Sequence, residues 1–111
     1  MNTEEEDQSA HVAGFITFSG SIPELRAMIR DAGLTPSKAD SHHIHIEEFS
    51  HVMLREYSKF EYMIEADADT PDEMVEDMKR FSSALSAERI GYNYEIYDSS
   101  NELVCQKEEK F

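Results

Sequence analysis

The segment His42-His43-Ile44-His45-Ile46-Glu47, with His51 close behind it, is where residue types first suggest chemistry. Side chains of an extended strand alternate between its two faces. His43, His45 and Glu47 would therefore fall on one side, with Ile44 and Ile46 on the other. Alternate positions on a strand lie about 6 to 7 Å apart. Two imidazoles and a carboxylate form a common ligand set for zinc or iron. That set carries one expectation: a small metal- or ligand-binding enzyme or sensor holding Zn or Fe. The plainer reading is the polar face of a half-buried strand, because nothing in the sequence fixes the ligands from a second layer of residues.

A second constellation is electrostatic. Glu65, Asp67, Asp69, Asp72, Glu73, Glu76 and Asp77 follow one another with no Lys or Arg before Lys79. Asp67-x-Asp69 has the start of a calcium-loop spacing, but the glycine and the distant glutamate of an EF-hand loop are missing. Asp72 and Glu73 have an ordinary cause, since acids in a helix's first turn complement its dipole. Glu65, Asp67, Glu76 and Asp77 are not required by that, and the run reads as a negative patch for a cationic partner.

Other catalytic arrangements are thin. Cys105 has Glu108 and Glu109 nearby in sequence, whereas a reactive thiolate needs positive charge beside it. Ser19-Gly20-Ser21 is a lone glycine turn rather than a phosphate-cradling loop, and no serine sits in a nucleophile-elbow pattern. The chain as a whole has 24 acidic residues against 10 Lys plus Arg, a formal charge of −14. Phosphate backbones and anionic membrane surfaces repel such a chain, so neither nucleic acid nor membrane is expected as a direct partner. Lys59-Phe60-Glu61-Tyr62-Met63-Ile64 also lacks the glycine-and-aromatic pattern of RNA-recognition strands. A single cysteine cannot form an internal disulfide and suits a reducing, cytoplasmic setting.

These residues need elements to position them. Residues 1–10, with Glu4, Glu5, Glu6 and Asp7, read as a flexible acidic tail with no apolar run of signal-peptide type. His11 to Phe18 is a strand apolar on both faces, as in the middle of a sheet. Ser21 and Glu24 form a capping box around Pro23. Leu25, Met28, Ile29 and Ala32 then recur at helical spacing up to Gly33. Thr35–Asp40 reads as a loop. From His42 the period becomes two, slipping at Glu48-Phe49; Val52 and Leu54 continue that strand or begin another. Arg55–Ser58 reads as a turn before a strand in which Phe60, Tyr62, Ile64 and Ala66 alternate with Glu61, Met63 and Glu65.

Thr70-Pro71-Asp72-Glu73 repeats the helix-start signal. Met74, Val75, Met78, Phe81 and Leu85 form the stripe of a helix ending near Glu88. Tyr92, Tyr94 and Ile96 share one face of the next strand, with Asn93, Glu95 and Tyr97 on the other. After a turn at Asp98–Asn101, Leu103–Cys105 makes an optional last strand, and Lys107–Phe111 reads as frayed.

A strand-helix-strand unit used twice gives a single α+β domain over residues 11–111. Its architecture resembles the ferredoxin-like β-α-β-β-α-β sandwich, an antiparallel sheet with two helices on one face and room for an extra C-terminal strand. If the helices cover Ile44, Ile46, Tyr62, Ile64 and Ile96, the opposite face carries Phe15, His43, His45, Met63, Glu95 and Tyr97. Phe15, Met63, Glu95 and Tyr97 suit an interface with a partner or with a second copy in a homodimer. Fold does not dictate function. The functional expectation is a non-enzymatic acidic protein-binding module without a cofactor. Its most specific form is an inhibitor that blocks a basic, nucleic-acid-handling protein by charge mimicry.

Overall fold

The computed structural model describes residues 8–40, 42–49 and 51–111. Most of the expected acidic tail therefore lies outside the described residues. Its last residue, Ala10, is already buried in the first strand.

The elements follow in the order β1 (Ala10–Thr17), α1 (Ile22–Asp31), β2 (Pro36–Asp40), β3 (His43–Ile46), β4 (His51–Ser58), β5 (Glu61–Ala68), α2 (Pro71–Ala87), β6 (Gly91–Asp98) and β7 (Leu103–Glu109). The strands form one seven-stranded sheet in the order β2-β3-β4-β5-β1-β6-β7, with every neighbouring pair antiparallel. The molecule is thus a mixed α+β structure whose sheet is wider than the four strands of a ferredoxin-like sandwich. Its first strand, expected to be central from its two apolar faces, lies between β5 and β6.

Helix starts follow from local sequence. Ser21 Oγ accepts from the Glu24 N–H at 3.3 Å, and Glu24 Oε1 accepts from the Ser21 N–H at 2.7 Å. The Ser21 N–H bond to its carboxylate is the main cause that holds the Glu24 carboxyl below its ordinary pKa. At α2, Thr70 Oγ1 accepts from the Glu73 N–H at 3.1 Å, with Pro71 in the first turn. Past α1, Gly33 adopts φ +98°, a left-handed conformation that glycine enters at little cost.

One face of the sheet carries the core. Val12, Ile16, Ile44, Ile46, Val52, Leu54, Tyr62, Ile64, Tyr92, Tyr94 and Ile96 are buried together with Leu25 and Ile29 of α1 and Met74, Met78, Phe81 and Leu85 of α2. Both helices therefore cover the same face. Fully burying a large apolar side chain stabilises by about 1.5–3 kcal/mol, so this single layer supplies most of the driving force. Among the described residues, no helix is long and apolar enough to cross a membrane.

Three local expectations are corrected. Pro36–Asp40 is not a loop but the edge strand β2, paired with β3. Its strand state comes from that pairing, not from β-propensity, and proline is tolerated at the start of an edge strand. Arg55–Ser58 is not a turn: β4 runs on to Ser58, and the chain reverses at Lys59-Phe60. The end is not frayed from Lys107, because β7 pairs with β6 as far as Glu109 opposite Tyr92. There the Glu109 carboxylate accepts from the Ser86 and Tyr92 hydroxyls.

The slip at Glu48-Phe49 marks the turn between β3 and β4. Phe49 dives into the core, 6.3 Å from the Phe81 ring. Glu48 reaches back to the Thr35 N–H at 2.8 Å and its hydroxyl at 2.6 Å, and the hydroxyl bond lowers the Glu48 pKa.

Candidate functional site

Because both helices sit on one side, the other face of the sheet is left open, and the strand register sets what stands on it. Three rows run across the strands. His51, Asp67, His11 and Tyr97 face one another in the first row. His45, Met53, Glu65, Ala13 and Glu95 form the second. His43, Arg55, Met63, Phe15 and Asn93 form the third. Directly opposed residues in such rows have Cβ atoms about 4.5–5.5 Å apart.

Side-chain bonds knit the rows. His51 Nδ1 lies 2.9 Å from Asp67 Oδ1. Arg55 Nε donates to Glu65 Oε2 at 3.0 Å, and its Nη2 approaches the Met63 sulfur at 3.0 Å. Tyr97 donates its hydroxyl proton to Glu95 Oε1 at 2.5 Å, a bond that raises the Tyr97 pKa. The His11 ring stacks on Tyr97 with centroids 5.6 Å apart, and Phe15 meets Tyr57 edge-on at 5.1 Å. The same face holds a shallow concavity of about 540 Å³, lined by Phe15, Met53, Met63, His45, His51, Glu65 and Asp67 among others.

Phe15, Met63, Glu95 and Tyr97, together with His43 and His45, are thus placed on one face by the sheet register. Glu47 lies just past the strand: β3 ends at Ile46, and Glu47 is exposed in the following turn, its N–H bonded to Thr35 O at 3.0 Å. Of the set of two histidines and a glutamate, the strand itself therefore carries only the two histidines. Among the described residues, no three His, Cys, Asp or Glu side chains are grouped so as to hold a metal ion.

The acidic run is also divided. Glu65 and Asp67 point to the open face, because their neighbours Ile64, Ala66 and Ala68 are buried in the core. Asp72, Glu73, Glu76 and Asp77 belong to α2, in the layer on the opposite side, with Asp69 in the connecting turn. A period of two followed by a helix cannot keep seven consecutive acids on one surface. Within α2, Asp77 Oδ2 is buried with no hydrogen-bond partner, and burial, followed by the Glu73 charge, raises its pKa. Cys105 lies opposite Ile96 on the core side, half-buried against the core.

Sequence reading missed the β4 contribution of His51, Met53 and Arg55. Their alternation with Val52 and Leu54 was the available signal, obscured by reading Arg55 as a turn residue. When compared with protein-family models, curated proteins and solved structures, the chain matches none.

Proposed function

We propose that this chain is a non-enzymatic acidic protein-binding module whose open sheet face takes a partner with a basic surface. The observation that carries the reading is the composition of that face. An apolar centre of Phe15, Met53 and Met63 is bordered by Glu65, Asp67 and Glu95 from two different strands. Among the described residues of β1 and β3–β6, Arg55 is the only Lys or Arg, and Glu65 already pairs with it. Charge complementarity therefore favours a cationic partner, and it disfavours a second copy of the same face at neutral pH. Carboxylates presented this way would occupy positions that phosphates take in a basic nucleic-acid-binding cleft. An inhibitor acting by charge mimicry is the most specific form of the reading.

The scaffold supports the same reading. We infer that β4-β5-β1-β6 with α1 and α2 forms a ferredoxin-like core, to which the β2–β3 hairpin and β7 are added at the two edges. The additions widen the open face without covering it.

The test is affinity capture from host lysate with stepwise salt elution, comparing three baits. Wild type should retain a basic protein at low salt and release it at moderate salt. A Glu65→Gln/Asp67→Asn/Glu95→Gln bait should lose it. An Asp69→Asn/Asp72→Asn/Glu76→Gln/Asp77→Asn bait should keep it, and added nucleic acid should displace it. Equal capture by the sheet-face variant, or loss only with the helix variant, would refute the assignment to this face.

A further inference from the structure

The structure assigns a second property to the open face, independent of the protein-binding reading: we propose that His45, His51 and Met53 form a binding site for a soft monovalent cation, copper(I) by its chemistry. His45 and Met53 are direct cross-strand partners of β3 and β4, and His51 precedes Met53 by two positions on the same face. All three line the same concavity. The register thus gathers two imidazoles and a thioether over neighbouring positions of two strands.

Neighbouring bonds decide which donor atoms are available. Asp67 is a carboxylate acceptor, so the 2.9 Å contact with His51 puts the imidazole proton on Nδ1 and the lone pair on Nε2. A carboxylate behind a histidine in this way is the usual means of orienting a metal-binding imidazole. Among the described residues, the His45 ring has no hydrogen-bond partner, so a nitrogen lone pair of its neutral form is available too. Arg55 bonds both Glu65, the register partner of Met53, and the sulfur of Met63, which takes that carboxylate and the second thioether out of the set.

What remains is two imidazole nitrogens and one thioether sulfur. Hard ions such as Mg²⁺ and Ca²⁺ require oxygen ligands, and structural zinc takes four ligands. Thioether with imidazole is the donor combination that suits copper(I). The carboxylates Glu65, Asp67 and Glu95 on the same face raise the local concentration of any cation.

The site is tested on the full chain by anaerobic titration of copper(I) held by a chromogenic chelator, and by silver(I) titration of protein carrying ¹³C-methyl methionine. Expected are one copper(I) per chain and a silver(I)-induced shift of the Met53 methyl alone. Met53→Leu, which keeps the apolar volume, and His45→Ala should abolish withdrawal of copper from the chelator. Asp67→Asn should weaken it about tenfold, as loss of an orienting partner does, and Cys105→Ser should leave it unchanged. No copper withdrawn by wild type, undiminished binding by the Met53→Leu/His45→Ala double variant, or loss on Cys105→Ser would each overturn the proposal. The methyl shift is read on the wild-type fold and needs no variant. The protein-capture result bears on neither readout.

Discussion

Replacing Gly14 by alanine is expected to destabilise the protein through a backbone collision. Gly14 lies in mid-β1, opposite Ile64 of β5 and Tyr94 of β6. A Cβ added there would stand 2.3 Å from the Asn93 carbonyl oxygen and 2.8 Å from Tyr94 Cα and Cβ. None of these is the far end of a flexible side chain, so relief requires β1 and β6 to move apart. Overfilling a packed position costs about 1–3 kcal/mol, while the lower unfolded-state entropy of alanine returns about 0.4–1 kcal/mol. The net loss should be about 1–2 kcal/mol. At roughly 4 °C per kcal/mol for a domain of this size, Tm should fall by about 4–8 °C.

The assay is thermal and urea unfolding followed by far-UV circular dichroism. Gly33→Ala serves as a contrast: its Cβ would meet nothing within 4 Å, and its cost comes from φ +98° alone. Asparagine tolerates that torsion, so Gly33→Asn should recover part of the loss, whereas Gly14→Asn should be at least as damaging as alanine. The consequence reaches the open face, because the β1–β6 spacing sets the His11–Tyr97 stack and the place of Ala13 beside Glu95. An unchanged midpoint for Gly14→Ala would refute the close approach of these strands.

Two further outcomes follow from single groups. Burial raises the Asp77 pKa above the ordinary 3.8, so the native state holds its proton more tightly than the unfolded chain does. Its charge therefore costs stability above the raised native value, and that cost disappears as pH falls to the unfolded value. Asp77→Asn should raise Tm at pH 7 and give no gain below about pH 3.8, as pH-dependent melting would show. Tyr62 is buried and donates its hydroxyl to the Gly20 carbonyl at 3.0 Å, tying β5 to the loop before α1. Tyr62→Phe should cost about 1 kcal/mol in urea unfolding; no loss would mean that the bond contributes nothing net.

Local rules carried a good share of this protein. Ser21 with Glu24, Thr70 with Pro71, and Gly33 marked the helix ends, because caps and left-handed stops are satisfied within a few residues. Period two in His43–Ile46, Glu61–Ala66 and Tyr92–Tyr97 separated a core face from an open one, since alternation is a property of the strand itself. That was enough to put Phe15, Met63, Glu95 and Tyr97 together. Propensity could not mark Pro36–Asp40 as a strand or carry β7 to Glu109, because both are edge strands held by hydrogen bonds to a neighbouring strand beyond a turn.

Only the tertiary register decided which side chains meet across strands. It ended β3 at Ile46, leaving Glu47 in the turn beyond the strand. It sent Glu65 and Asp67 to one side of the molecule and the acids of α2 to the other. It also brought His51 to Asp67 and Met53 to His45. Sequence fixes the face a residue takes along its own strand; its neighbours across the sheet depend on how strands pair, and that is settled by packing of the whole core.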